Sequence, residues 1–239
     1  KNWQLAGHDV FNTDLDTQAS LPDWYEPLAG LFYFAPPQPG GTEDLRMQRF
    51  LTALVSQPPK AIVYISTTGV YGDCGGAWVD ESAPLNPGVD RARKRVSAER
   101  QLQAFADRYG VRLVILRVPG IYGPERLPVQ RIERGDPVLC PDDAPYSNRI
   151  HVDDLVECCR VAMASASVSG VYNVTDDEPS SMTDYFYAVA DAFGLQRPPC
   201  VSRQGASAVM SVGMLSYLGE SRRVSNRRMH NELIQSLRY

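Results

Sequence analysis

The stretch Ala61-Ile62-Val63-Tyr64-Ile65-Ser66-Thr67-Thr68-Gly69-Val70-Tyr71-Gly72 decides the fold. Its first five residues form an apolar run rich in β-branched side chains, the pattern of a strand buried on both faces. Small hydroxylated residues and two glycines then end it as a turn. A second run, Val111-Arg112-Leu113-Val114-Ile115-Leu116-Arg117, has the same character and leads into Val118-Pro119-Gly120-Ile121-Tyr122-Gly123-Pro124. Between the two, residues 90–109 read as a helix stopped by Gly110, a residue free to take the left-handed conformation of a helix end. Strand, helix, strand is the repeating unit of a parallel sheet.

Working toward the N-terminus, Leu31-Phe32-Tyr33-Phe34 is a short apolar strand ending in Ala35-Pro36-Pro37. Thr42-Glu43-Asp44-Leu45 offers an N-cap and early carboxylates, so a helix is expected from Thr42, with Leu45, Phe50, Leu51 and Leu54 facing inward. Earlier still the regularity fails. Leu5-Ala6-Gly7-His8-Asp9-Val10-Phe11 reads as a helix end, a glycine stop and a short strand. Asp14-Leu15-Asp16 then arrives without the crossover helix that two parallel strands require. The expectation is that residues are absent at the start and around positions 11–12.

Toward the C-terminus, the pattern loosens after Pro124 into short elements rich in Pro and Asp. A strand–helix pair is expected around 150–164, and a last strand over Gly170-Val171-Tyr172-Asn173-Val174. An amphipathic helix follows over 181–193, ending at Gly194, and then an arginine-rich helical tail over 205–239. The predicted architecture is α/β. A doubly wound parallel sheet is built from 1–125 and 150–178, and a smaller substrate-side lobe from 126–149 and 179–239.

Composition narrows the function classes. The 239 residues are 44% hydrophobic and 22% charged, enough apolar material for a substantial core. The formal net charge of -4 gives no electrostatic reason to expect nucleic acid or an anionic membrane as partner. No apolar run approaches the roughly 20 residues that span a bilayer, and Lys1-Asn2-Trp3-Gln4 does not open a signal peptide. The cysteines Cys74, Cys140, Cys158, Cys159 and Cys200 show no C-x-x-C spacing, so no metal site is expected. Cys158 and Cys159 read as small buried hydrophobes. Five free thiols point to a reducing cytoplasm.

In an open parallel sheet, ligands bind beyond the carboxyl ends of the strands. The three strand ends Ala35-Pro36-Pro37, 66–72 and 117–124 lie there. Asp80-Glu81-Ser82-Ala83-Pro84-Leu85-Asn86-Pro87 and Arg149-Ile150-His151-Val152-Asp153-Asp154 complete a recognisable set. In these five motifs, in this order, the chain resembles the extended branch of the short-chain dehydrogenase/reductase superfamily, the NAD-dependent epimerase/dehydratase type. The resemblance runs over residues 31–174. It implies a Rossmann fold holding NAD or NADP, and substrates that are nucleotide sugars or related alcohols and ketones. The opening strand and glycine-rich turn that the resemblance implies do not appear among these 239 residues.

The same resemblance assigns roles. Thr67 takes the place of the hydroxyl that hydrogen-bonds the substrate oxygen, with Ser66 beside it as a cofactor contact. Pro119 and Ile121 fall where the nicotinamide packs, and Ala35 and Pro36 where backbone passes the adenosine. The family's tyrosine and lysine stand four apart on the helix after Asn86-Pro87. Glu99 matches the glutamate four residues beyond that lysine, which puts Arg95 at the lysine position and Arg91 at the tyrosine position. Shifting by one gives Asp90 and Lys94, again without a tyrosine. The motif is similar to an atypical subgroup that lacks the pair.

A guanidinium keeps its proton throughout the neutral range and cannot move protons there. Arg95 is suited to holding the cofactor ribose, and Arg91 to taking an anionic substrate group side-on. The alternative for Arg91 and Arg95 is the solvated face of a helix; Arg93 and Lys94 are expected there. Tyr71 and Tyr122 are conceivable substitute acids, though the resemblance implies a structural Tyr-Gly. His151 is read as a packing residue ahead of a catalytic one, and Arg126 and Arg149 as contacts for a phosphate-bearing substrate or as surface charges. Three functions stay open: an oxidoreductase or epimerase with a modified site, a non-catalytic NAD(P)H sensor or scaffold, and a fold that has lost the dinucleotide. The resemblance also implies a homodimer through the helix bearing 91–100 and the one before it.

Overall fold

The computed structural model describes residues 12–17 and 29–239, and in them the strand–helix alternation becomes a parallel sheet. In chain order come β1 (Leu31–Tyr33), α1 (Leu45–Leu54), β2 (Ala61–Thr67), β3 (Trp78–Val79), α2 (Asp90–Tyr109) and β4 (Arg112–Val118). Then follow β5 (Gly120–Tyr122), α3 (Val129–Glu133), β6 (Val138–Leu139), β7 (Tyr146–Ser147), β8 (Arg149–His151), α4 (Val152–Ala164) and β9 (Gly170–Asn173). The chain closes with β10 (Ser180–Ser181), α5 (Met182–Ala192), β11 (Cys200–Val201), α6 (Arg203–Val209), α7 (Val212–Leu218), β12 (Arg223–Val224) and α8 (Arg227–Glu232). The main sheet has the order β1-β2-β4-β9, with every pair parallel.

The two-residue period of a strand sorts the core into two layers. Ile62 and Tyr64 on β2, with Leu113 and Ile115 on β4, meet Met47, Leu51 and Leu54 of α1 and Leu102 and Phe105 of α2. Their neighbours Val63, Val114, Leu116 and Val118 face the other way, against Leu155, Cys158 and Ala162 of α4 and Met229 of α8. Each fully buried aliphatic side chain contributes about 1.5–3 kcal/mol to that packing. A parallel sheet covered on both faces is the expected Rossmann-type class. Within the stretch 179–239 assigned to the lobe, α8 packs on the sheet itself, beside Tyr172 and Val174.

Several local expectations need correction. The helix expected from Thr42 begins at Leu45, because the Asp44 carboxylate accepts from Met47 N at 2.9 Å and caps it. Met47 therefore takes the inward position expected of Leu45, which is exposed. Residues 15–17 form a turn, with Asp14 Oδ1 accepting from Asp16 N, rather than a strand. The reading of Leu5 to Phe11 lies outside the described residues. The tail is broken into α6, α7 and α8, with β12 between them pairing with β3. Five free thiols become three, since Cys140 and Cys200 form a disulfide that ties β6 to β11. Cys158 and Cys159 are buried as expected, and burial pushes both thiols up. Among the described residues, no helix is long and apolar enough to cross a membrane.

One polar cluster crosses the layer between α2 and the sheet. Ser66 and Arg117 share the face of Tyr64 and Ile115, so both point at α2, where Glu99 waits. Arg117 donates to Glu99 through Nη2 at 2.8 Å and Nε at 3.2 Å, and the Ser66 hydroxyl donates to the same carboxylate. Arg117 is 4% exposed and Glu99 5%. From Arg117 the bonds continue through the Tyr71 hydroxyl to Asn173 on β9, and from Asn173 to the Ser225 carbonyl. Removing one member of a buried ion pair strands the other, so Glu99→Ala is expected to cost about 3–5 kcal/mol in urea unfolding. The double variant Glu99→Leu/Arg117→Leu recovers part of that loss. Equal costs for the single and double variants would contradict the pairing.

Candidate functional site

A cavity of about 620 Å³ opens beyond the carboxyl ends of β2 and β4. Its inner wall is the turn Thr67-Thr68-Gly69, where Thr67 Oγ1 accepts from Gly69 N at 3.2 Å, and the segment Pro119-Gly120-Ile121-Tyr122. The N-terminal turn of α2 closes against that edge: a Cβ placed on Gly69 would lie 3.7 Å from that of Ala92. Arg91 and Arg95, one helical turn apart, thereby reach the cavity. β5 pairs with β8 in register Gly120↔Arg149, which delivers Arg149 to the opposite lip. β12, held against β3, brings Arg222 and its neighbour Glu220.

The structure therefore gathers Thr67, Arg91, Arg95, Pro119 and Ile121 in one cavity. It does not bring Ser66 there: the period-two alternation turns that side chain to Glu99, where it is buried. Ala35 and Pro36 also fall outside the lining, and Pro37 takes their place. Lys94 corrects another expectation. It is buried, not solvated, with Nζ donating to the carbonyls of Gln38 and Pro39. Arg93 is exposed and pairs with Asp90. Tyr71 is buried in the Arg117 network, and His151 caps α4, its Nδ1 accepting from Asp153 N at 3.2 Å.

The charge balance of the lining is one-sided. Six arginines (91, 95, 126, 131, 149 and 222) face it with one carboxylate, Glu220. Arg222 is paired with Glu220 at 2.8 Å and Arg131 with Asp136 at 3.5 Å. Among the described residues Arg91, Arg95, Arg126 and Arg149 have no carboxylate within ion-pair reach. Neutral groups hold three of them. Arg91 lies over the Tyr217 ring at 4.1 Å and donates to Ser216 Oγ; Arg95 donates to the Tyr64 hydroxyl and the Ile65 carbonyl. Arg149 lies over the Tyr185 ring and donates to the hydroxyls of Ser147 and Ser180. Cations fixed in place without a counter-charge form a receptor for a polyanion.

Proton-moving groups are scarce. Burial pushes the Tyr64 phenol up to about 12 and also raises Tyr71 and Tyr122, so each stays a neutral phenol near pH 7. The sequence does not single out Asp176, which lies just past β9 and outside the cavity lining. Burial lifts its carboxyl to about 6 against the pull of Arg149, and its Oδ1 is buried without a hydrogen-bond partner. No motif signals it, nor Glu220 and Arg222, whose placement depends on strand pairings remote in sequence.

The model of the NAD dependent epimerase/dehydratase family matches residues 44–175. The dTDP-D-glucose 4,6-dehydratase of Mus musculus is 28% identical over 120 residues, 47% of this chain and 34% of that protein. The chain thus spans about a third of the length of the first curated relatives it matches. Among solved structures, a functionally unknown conserved protein from Silicibacter pomeroyi superposes with a TM-score of 0.75 at 36% identity, covering 91% of this chain and 77% of the other. MoeE5 in complex with UDP-glucose and NAD gives 0.72 at 22% identity, covering 93% and 78%, a likeness of fold.

Asp176 generates a pH prediction. Its folded-state pKa is raised from 3.8, so the stabilisation from keeping its proton is complete below about pH 4 and lost as pH rises through about 6. Asp176→Asn, whose amide never ionises, is expected to gain about 1–2 kcal/mol on the native chain across that window in thermal denaturation, allowing for partial exposure. Parallel stability curves from pH 4 to 7 would contradict it.

Proposed function

The chain belongs to the NAD dependent epimerase/dehydratase family, and on that premise we propose that it binds NAD or NADP and acts as an oxidoreductase or epimerase on a nucleotide-sugar-like substrate. The observation that carries the reading is the cavity at the sheet's carboxyl edge, apolar and backbone-lined at Pro119 to Ile121 and cationic elsewhere. The residues fit the cofactor: Pro119 and Ile121 offer an apolar shelf, and Arg95 offers unpaired N–H groups beside it. When bound, the dinucleotide supplies a hydride acceptor and donor.

The chain's own groups do the rest. Thr67 Oγ1 accepts from Gly69 N, which leaves its O–H to donate to a substrate oxygen. Arg126 and Arg149 supply charge for a diphosphate, Arg149 already oriented by two serine hydroxyls. Arg91 and Arg95 orient and neutralise; they take no proton. That last property also favours a second reading, an NAD(P)H sensor or scaffold that binds without turnover.

We place the protein in the cytoplasm as part of this proposal, on the need for nicotinamide coenzyme and no longer on its thiols. A homodimer through α1 and α2 belongs to it as well. The outer face of α2 carries Arg93, Arg100, Gln103, Asp107 and Arg108, so that contact would be polar.

Titration calorimetry of the full chain with both coenzyme pairs is expected to give saturable binding, with thermal stabilisation of about 2.7 kcal/mol at a hundredfold excess over Kd. Thr67→Ala is expected to lower turnover of a sugar nucleotide roughly a hundredfold, the scale of losing one donor to a developing oxyanion. Binding of coenzyme with no hydride exchange would select the sensor. Binding of neither coenzyme would end both readings.

A further inference from the structure

The arginines of the cavity fall into two groups on different elements. Arg126 and Arg149 stand on the turn after β5 and on β8. Arg91 and Arg95 stand on α2, beside the Thr67–Gly69 turn, where the reading above puts the reacting end of the substrate. A diphosphate accounts for the first group. It leaves the second without a counter-charge.

The way the second group is held matters. Arg91 is fixed through Nη1 by Ser216 and through its face by Tyr217; Arg95 is fixed through Nη1 by Tyr64 and Ile65. Among the described residues, Nε and Nη2 of both side chains have no partner. Those two nitrogens form the side-on edge of a guanidinium, and that edge matches the two oxygens of a carboxylate. Like charges four apart on a helix repel, so two unneutralised arginines there destabilise the empty protein. An anion between them removes the repulsion.

We propose that Arg91, backed by the charge of Arg95, is a carboxylate subsite, and that the substrate is a nucleoside diphosphate sugar whose sugar carries a carboxylate. The inference rests on the proposed function of the cavity and adds the chemical class of its substrate. Arg91 is here a specificity residue: it touches the substrate and moves no proton. Its ring partner Tyr217 and Ser216 lie on α7, so the same helix that orients the clamp forms part of the rim.

Calorimetry tests this on the full chain saturated with NAD, with UDP-glucose and UDP-glucuronic acid as probes. These differ only in a hydroxymethyl against a carboxylate. The uronate is expected to bind at least about tenfold more tightly, the scale of a charge-assisted bidentate pair. In Arg91→Gln the ratio is expected to fall toward one, and Arg91→Lys, which keeps the charge but not the fork, restores only part of it. Circular dichroism of each variant checks that the exposed substitution leaves the fold intact. If both sugars bind with equal affinity, or the ratio survives in Arg91→Gln, the carboxylate subsite is wrong and the proposed function stands. If NAD and both sugars fail to bind, the proposed function falls first, and the subsite with it.

Discussion

The buried pair Glu99–Arg117 is the contact on which the rest of the molecule depends. Arg117 is the penultimate residue of β4 and Glu99 lies midway along α2, so the pair fixes the helix against the strand end both axially and in rotation. Such a pair adds little net stability over apolar residues of equal size, yet losing one partner is costly. That asymmetry penalises any sliding or turning of α2. Arg95 and Arg91 lie four and eight residues upstream, about 6 and 12 Å along the axis, so their approach to the cavity is set by the same contact. Through Tyr71 and Asn173 the restraint extends to β9 and the segment before α8.

The cavity expresses a second constraint, charge without compensation. Arginines at a cavity wall are ordinarily held by carboxylates, as Arg222 and Arg131 are here. Arg91, Arg95 and Arg149 are held instead by hydroxyls, carbonyls and aromatic faces. Those partners fix direction and leave the positive charge available. The same choice removes proton transfer from α2, because no guanidinium loses its proton near neutral pH. The phenols nearby are pushed up by burial and do not replace it.

The sequence disclosed those parts of the fold governed by local periodicity. β2, β4 and α2 are long enough for their apolar patterns to be unambiguous, and Gly110 marks the helix end with a left-handed φ of 68°. Thr67 against Ser66 was also legible in principle, since alternation from Ile62 and Tyr64 assigns Ser66 to the α2 face. Lys94 was not: its burial depends on the carbonyls of Gln38 and Pro39, 56 and 55 residues away. Nor was the Cys140–Cys200 bond, which closes over 60 residues through the pairing of two short strands. Glu220 and Arg222 reach the site through the long-range pairing of β12 with β3, with no surrounding motif to announce them.

A crystal structure of the full chain grown with reduced dinucleotide tests the central claim most directly. The account predicts nicotinamide density against Pro119 and Ile121, with Thr67, Arg91 and Arg95 facing the same space and the Glu99–Arg117 pair intact. Dinucleotide bound away from the carboxyl edge of β2 and β4, or an α2 rotated so that Arg91 and Arg95 face solvent, would contradict it.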